Sequence, residues 1–362
     1  MVRILNIIGS LERGGAETFL INLYRNIDRT KIQFDFAIYG QPSPNGYYNE
    51  VVELGGKVYF LPPKSKGILR NFRAIQKIVR ENNYKTVWKH TESCFRAIDL
   101  LAARTAGATQ TVLHSHSTNI EGIERSIHYI LRPFVNLFVT KRFACGDMAG
   151  HWLFGRRPFE VINNGIDVEA FRYNKETRDQ YRQEFRIQDR IVIGHVGRFH
   201  PVKNHKLVID IYEKCKEQTP ATVLILVGTG ELLSQMQELV RAKGLEKDVL
   251  FLGSRSDIPA ILQMMDVFVM PSLYEGFPVT LIEAQAAGLP CVASSTISRE
   301  VDSTGNVSFV DLDAPVEVWA KRIAEKCGSK TEDNAEVLRA AGYDIKDVAQ
   351  RVETYMLKMA ES

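Results

Sequence analysis

Residues 266–295, DVFVMPSLYEGFPVTLIEAQAAGLPCVASS, set two short apolar runs on either side of a helix-length segment. The first run, DVFVMPS, is nearly continuous in apolar residues, as a strand buried on both faces must be. Pro271 and Ser272 end it, LYEGFP makes a loop, and Pro278 suits the first turn of a helix through VTLIEAQAAG that stops near Gly288. PCVASS then reads as the next strand. A strand, a helix and a strand in succession make a parallel crossover, so the sheet is expected to be parallel and covered on both faces. Two carboxylates stand out in this frame: Glu275 in the loop, and Glu283 eight positions on, inside an apolar helix. Neither place needs a solubilising charge.

The same alternation extends in both directions. RIVIGHVGRF (190–199), HKLVIDIYEKCKEQ, ATVLILVGTGE and DVLFLGSR lead into the quoted stretch. An earlier series holds RILNIIG (3–9), AETFLINLYRNI (16–27), QFDFAIYG (33–40), KVYFLP (57–62), KTVWKH (85–90), QTVLHSHS (110–117) and FVTKRFACG (138–146). A polar stretch over 172–190 carries no clear strand and places a domain boundary near 168–188. A last helix is expected over 345–360. Ligands of open parallel sheets bind at the C-terminal ends of the strands.

A chain of 362 residues, 45% hydrophobic, has enough material for two cores. The five cysteines form no CxxC, so Cys94, Cys145, Cys215 and Cys291 read as reduced thiols, with no structural zinc site. MVRILNIIGS reads as a first buried strand rather than a signal peptide. No uncharged apolar run reaches membrane-spanning length, so no transmembrane span is expected. Net charge hides an asymmetry: 22 Lys and Arg against 13 Asp and Glu over residues 1–165, then 24 against 30 over the remainder. A basic first half suits an anionic surface or acceptor. Nucleic acid is disfavoured, because no recognition motif accompanies the charge.

Several strand ends carry residues suited to chemistry. In GSLERGGAETFL (9–20), Gly9, Gly14 and Gly15 lie between a strand and a helix. This is neither GxGxxG nor a P-loop, but it lets a phosphate or sugar oxygen approach a helix N-terminus. His114 and His116 end another strand; His114 is expected as its last residue and His116 in the loop. Two histidines are also half of a metal site, but no third ligand follows at local spacing. In HVGRFHPVKNH (195–205), Arg198 and Lys203 offer a guanidinium fork and a point charge beside Gly197, which suits a departing diphosphate. Gly228 and Gly230 repeat the glycine device. The loop in FLGSRSDIPAIL (251–262) suits the edge of a nucleobase. Glu275 and Glu283 can each accept two hydrogen bonds from a vicinal diol, which sugars and ribose present. A paired general acid and base is the competing reading, disfavoured because a diphosphate leaving group needs no proton from a carboxylic acid.

The segments GGAE, NNGID, VGRFHPVKN and EGFPVTLIEAQAAGLP, in this order and spanning nearly the whole chain, resemble the retaining glycosyltransferases of family 4, especially bacterial enzymes of capsule and exopolysaccharide assembly. The resemblance implies a GT-B fold: two Rossmann-like parallel-sheet domains facing across a deep cleft. It implies an acceptor-binding domain over 1–170, a nucleotide-sugar domain over 171–342, and a C-terminal helix over 343–362 crossing back onto the first. Arg198 and Lys203 would hold the donor diphosphate, and Glu283 the ribose. Glu275 would contact the donor sugar, with Gly276 and Phe277 beside it. Gly14 and Gly15 would approach the phosphates, Gly228 would lie at the donor site, and His116 would stand near the sugar with His114 in reserve. A UDP-sugar donor and no metal are implied. Three positions depart from the family pattern: Asn204 follows the lysine, Asn163 precedes NGID, and Ser117 follows the histidine. A non-catalytic sugar-binding scaffold, or a GT-B epimerase or phosphorylase, is the alternative.

A membrane surface is the expected partner of the basic half. Lys64, Lys66, Arg70, Arg73, Lys77 and Arg80 fall in one segment, and Arg73, Lys77 and Arg80 share a helix face. HWLFGRRPF (151–159) adds Trp152, Phe154, Arg156 and Arg157. Together they suit docking on an anionic leaflet from the cytoplasmic side, where a lipid-diphosphate-linked sugar is presented.

Overall fold

The computed structural model describes every residue except 13, 42–45, 64–66, 121, 136, 329–332 and 362. The chain forms two units, Met1–Ile166 with Gly342–Ser362, and Asp167–Ala341. The chain changes unit at 166/167 and 341/342, against the expected 170/171 and 342/343.

The first unit is a seven-stranded sheet of β1 (Val2–Ile8), β2 (Ile32–Tyr39), β3 (Val58–Leu61), β4 (Thr86–Thr91), β5 (Gln110–Ser115), β6 (Lys141–Ala144) and β7 (Glu160–Val161). Its helices are α1 (Gly15–Asn26), α2 (Tyr48–Glu53), α3 (Ile68–Asn82), α4 (Ile98–Thr105), α5 (Ile123–Val135) and α6 (Asp147–Phe154). Every pairing is parallel, in the order β3-β2-β1-β4-β5-β6-β7. The two-residue period of a strand sorts the core. Ile4 and Ile8 of β1 join Phe34, Phe36 and Trp88 on one face, while Leu5 and Ile7 join Val87 and Leu113 on the other.

The second unit contains α7 (Val168–Phe171), α8 (Lys175–Glu184), β8 (Ile191–Val196), α9 (His205–Gln218), β9 (Thr222–Val227), α10 (Leu233–Ala242) and β10 (Val249–Gly253). It continues through α11 (Ile258–Gln263), β11 (Val267–Met270), α12 (Val279–Ala286), β12 (Cys291–Ser294), β13 (Val307–Val310), α13 (Val316–Lys326) and α14 (Ala335–Ala340). Its parallel order is β10-β9-β8-β11-β12-β13. In each sheet the strand order reverses beside the unit's first strand, at β1/β4 and β8/β11. Ligands of open parallel sheets bind at such a reversal, beyond the strands' C-terminal ends.

The last helix, α15 (Ile345–Glu361), belongs to the first unit. Ile345, Val348, Val352 and Met356 make one apolar stripe that packs into the core beside α1. The Ile166 N–H donates to Tyr343 O at 2.8 Å, and the Ile345 N–H to Ile166 O at 2.9 Å. A Cβ on Gly165 would lie 2.9 Å from Ile345 Cα, so the crossing requires glycine there.

Some expectations need correction. The strand read over 138–146 is confined to Lys141–Ala144. The polar stretch 172–190 carries no strand, as expected; it holds α8, whose Arg178 and Arg182 both pair with Asp266. Trp152 and Phe154 are core residues, not membrane anchors. The Trp152 ring stacks on His128 with centroids 4.2 Å apart, and its indole N–H donates to Glu92 O at 2.8 Å. Lys64 and Lys66 lie outside the described residues. Among the described residues, no helix is long and apolar enough to cross a membrane. All five cysteines are free thiols.

Candidate functional site

In the second unit, the loops after β8, β9 and β11 carry the candidate residues, and α12 carries Glu283. The Gly197 turn closes over His195, where a Cβ would stand 3.0 Å from the imidazole Nε2. His195 Nδ1–H donates to Val269 O at 2.8 Å, and burial pushes the ring down to about 4. His205, stacked on Phe199 at 4.0 Å, is pushed down to about 2 for the same reason. Both imidazoles are therefore neutral and add no charge beneath the basic loop.

Arg198 is exposed and its guanidinium makes no hydrogen bond or ion pair with a described residue. Lys203 ends a short 3-10 turn, Pro201–Lys203, and its Nζ lies 2.6 Å from Glu275 Oε1. Asn204 follows at φ 54°, in the left-handed region that only glycine and asparagine enter readily. The departure from glycine at this place therefore keeps the backbone geometry.

Gly228 and Gly230 have a packing explanation. Each has positive φ, and a Cβ would fall 2.1 Å from Gly197 O or 2.4 Å from Phe199 O respectively. The GTG loop must lie against the Arg198 loop, and it does so through Phe199 N–H to Thr229 O at 2.9 Å. Asp257, in the loop read as meeting a nucleobase, is held by Arg255 and by the Tyr181 hydroxyl.

Pro278 is the residue before α12 rather than within its first turn, so Glu283 lies just over one turn into the helix. Gly276 is half-buried and Phe277 buried. Glu283 is half-buried, its carboxyl has no hydrogen-bond or ion-pair partner among the described residues, and burial pushes that carboxyl up to about 7. The structure thus ties Lys203 to Glu275 and leaves Arg198 and Glu283 unpaired.

In the first unit, Gly14 caps α1 and Gly15 is its first residue. A Cβ on Gly14 would meet only the flexible Glu17 carboxylate, and one on Gly15 would meet nothing within 4 Å. The unit's own packing therefore does not demand glycine at 15.

His114 lies inside β5, not at its end; it is fully buried, stacked on Trp88 and without a partner on either nitrogen. His116 follows the strand, half-buried and pushed down to about 3 by burial. The sequence reading missed His90, which β4 places beside β5 in register with His114. His90 Nδ1 lies 2.9 Å from His116 Nε2, and His90 Nε2 lies 3.4 Å from Asn6 Oδ1. The Asn6 amide N–H reaches Asp35 O at 3.3 Å, which turns its oxygen towards His90. That oxygen only accepts, so His90 carries its proton on Nε2 and its Nδ1 accepts from His116 Nε2–H. His116 Nδ1 is left as a bare acceptor with no partner among the described residues. Nitrogens of His90, His114 and His116 all lie within 4.8 Å of one another. These three are the residues that could hold a metal, although the His90–His116 hydrogen bond already engages two of the nitrogens.

Residues 13–170 match the family described as Glycosyltransferase Family 4, and residues 177–303 match Glycosyl transferases group 1. The chain is 38% identical over 358 residues to EpsF of Bacillus subtilis (strain 168), a protein assigned as a glycosyltransferase, covering 94% of this chain and 93% of that one. It is 27% identical over 281 residues to the UDP-Gal:alpha-D-GlcNAc-diphosphoundecaprenol alpha-1,3-galactosyltransferase of Escherichia coli, covering 73% and 72%. The fold is similar to that of Anabaena Alr3699/HepE in complex with UDP-glucose, with TM-score 0.80, 22% identity and coverage of 99% and 100%. By sequence and by fold, the chain belongs to the family 4 glycosyltransferases, with the GT-B fold.

Proposed function

We propose that the enzyme moves a sugar from a UDP-sugar to a lipid-diphosphate-linked or saccharide acceptor, with retention at the anomeric carbon, in cell-surface polysaccharide synthesis. The observation that carries this reading is the 2.6 Å Lys203–Glu275 pair, with the unpaired Arg198 in the same loop as Lys203 and the unpaired Glu283 in the helix after Glu275. The names of the Escherichia coli relative and of the Anabaena complex, each specifying a UDP-sugar, support the donor.

Arg198 and Lys203 would neutralise the diphosphate as its bond to the sugar breaks, without need of a metal. The Glu275 carboxylate, held by Lys203, would accept hydrogen bonds from donor-sugar hydroxyls beside Gly276 and Phe277. Glu283 would take the ribose diol. Gly14 and Gly15 would let the diphosphate approach the N-terminus of α1. His116, half-buried just after β5, would stand near the transferred sugar. With Glu275 occupied in this way, transfer would occur on the face the diphosphate leaves, and a diphosphate oxygen would take the acceptor's proton. Work on a lipid-linked acceptor would put the enzyme at the cytoplasmic face of the membrane, attracted by Arg73, Lys77 and Arg80 of α3, all exposed.

The test is transfer from UDP-sugars to a lipid-diphosphate-linked saccharide, with the new linkage read by NMR. An α-linked product from an α-linked donor is expected. Lys203→Ala and Glu275→Ala should each lower kcat/KM at least about tenfold, about 1.4 kcal/mol in the transition state. A β-linked product, or wild-type rates in both variants, would contradict the reading.

A further inference from the structure

Three imidazoles meet at the C-terminal ends of β4 and β5. The two-residue period of β5 puts His114 and His116 on one face, and the pairing with β4 sets His90 beside His114 on that face. The His116 backbone N–H donates to Thr91 O at 3.3 Å, which keeps the residue against the end of β4. His114 is 0% exposed, yet neither of its ring nitrogens has a hydrogen-bond partner among the described residues. Its ring stacks on Trp88 with centroids 5.6 Å apart and meets the edge of Phe19 at 5.4 Å. Packing therefore fixes the ring but does not satisfy its nitrogens. A buried polar group left unpaired is costly, so this one points to a ligand that the chain itself does not supply.

The donor set selects that ligand. One nitrogen from each of His90, His114 and His116 lies within 4.8 Å of the others, and no other such group of His, Cys, Asp or Glu occurs among the described residues. Three imidazoles with an open fourth position suit Zn2+, with nitrogens about 2.0–2.1 Å from the ion and so about 3.4 Å from one another. The His90 Nδ1–His116 Nε2 pair, at 2.9 Å, has to open slightly, and small ring rotations close the wider spacings. The outer contacts are already in place. His90 Nε2–H faces Asn6 Oδ1 at 3.4 Å, and the Asn6 amide is turned by Asp35 O at 3.3 Å, so His90 presents Nδ1 to an ion. A ring N–H held by an oxygen in this way is how metal-binding histidines are oriented. The proton on His116 Nε2 moves to Nδ1, which has no partner among the described residues to lose, and the ring stays neutral. His116 is half-buried, which gives an ion a way in and leaves room for a fourth ligand from solvent. Mg2+ and Ca2+ prefer oxygen ligands and are selected against.

We propose that His90, His114 and His116 bind one Zn2+ through three nitrogens, with water or hydroxide as the fourth ligand. The ion is not a cofactor of transfer. It takes up His116, so zinc acts as a reversible inhibitor. That consequence rests on the proposed function, which puts His116 near the transferred sugar; the site itself does not.

The untagged full chain, stripped with EDTA and dialysed, is titrated with Zn2+ by calorimetry and with Co2+ by visible absorption. One Zn2+ per chain at micromolar or tighter affinity is expected. Co2+ should give the intense absorption of tetrahedral coordination, displaced by Zn2+ and untouched by excess Mg2+. His90→Gln and His114→Gln should each weaken zinc binding at least about tenfold and lose the cobalt absorption, with a cooperative melt retained. If neither variant folds, broadening of the three histidine ring signals by Co2+ in the NMR spectrum of wild type decides instead. Wild type that takes up no zinc overturns the proposal and leaves solvent as the partner of His114. Cobalt that stays octahedral, or histidine variants that bind as wild type does, overturn it equally. Zinc that stops sugar transfer, with EDTA restoring it, supports both the site and its consequence. Zinc bound without loss of transfer keeps the site and overturns the place given to His116. Zinc bound by a chain that transfers from no UDP-sugar counts against the proposed function alone.

Discussion

Glu283 is a carboxyl without a partner, and that makes it a reporter. Burial raises it from the usual 4.5 to about 7. Between those values the folded protein holds a proton that the unfolded chain has released. The stability this group supplies is therefore complete below 4.5 and is lost as pH rises through 7. Glu283→Gln, neutral throughout, should melt above wild type at pH 8 and close to it at pH 4.5. A ribose diol bound as proposed would donate to the carboxylate and favour its charged form, so nucleotide binding near pH 6.5 should release a proton. Calorimetry in two buffers of different ionisation enthalpy should detect that release in wild type and not in Glu283→Gln.

Glycine contexts separate packing from ligand approach at the same scale. Gly228→Ala must fit a Cβ 2.1 Å from Gly197 O at φ 137°, and should cost at least about 2 kcal/mol by thermal melting. Gly15→Ala puts its methyl in open space at the first residue of α1, so the melting temperature should hold or rise. Its turnover should nevertheless fall at least about tenfold if a diphosphate approaches there. Unchanged turnover would remove Gly15 from the site. Motif spacing made Arg198, Lys203, Glu275 and Glu283 stand out because they fall in two strand-to-helix segments, Glu283 within the helix itself. His90 was invisible to spacing, since it reaches His116 only through the pairing of β4 with β5.

At the scale of elements, β4 illustrates what apolar patterning misses. The strand was recognised, but Lys89 within it is 2% exposed and lies 2.7 Å from Asp99 of α4, which is 7% exposed. The Tyr39 hydroxyl also bonds to Asp99. Removing one partner leaves a buried charge uncompensated, so Asp99→Ala should cost about 3–5 kcal/mol in denaturant unfolding. Lys89→Met/Asp99→Asn should lose less, because no lone charge remains and the amide still accepts from Tyr39. An equal or larger loss in the double variant would mean that the pair contributes more than its mutual neutralisation. The second unit was the more legible of the two, because β8, β9, β10 and β11 are short apolar runs ended by Gly or Pro. HWLFGRRPF was misread because a Trp beside arginines looks like an interfacial anchor, whereas Trp152 buries its ring on His128.

At the scale of the whole molecule, two parallel sheets repeat one design. Each reverses its strand order beside its first strand, and most of the candidate residues lie at or just after the C-terminal ends of strands, with Glu283 inside α12. The parallel character was legible in the alternation of strands and helices. The return of α15 to the first unit was legible only through the family resemblance, because an amphipathic helix by itself records that it packs but not where. The repeated design is what a nucleotide-sugar enzyme of family 4 requires, and donor binding tests that most directly. The decisive measurement is calorimetry of the purified chain against UDP-, GDP- and ADP-sugars, with and without EDTA. Micromolar binding of a UDP-sugar, indifferent to EDTA, is the predicted result. Failure to bind any of the three classes, or binding that EDTA abolishes, would contradict the metal-free donor site assigned to Arg198, Lys203, Glu275 and Glu283.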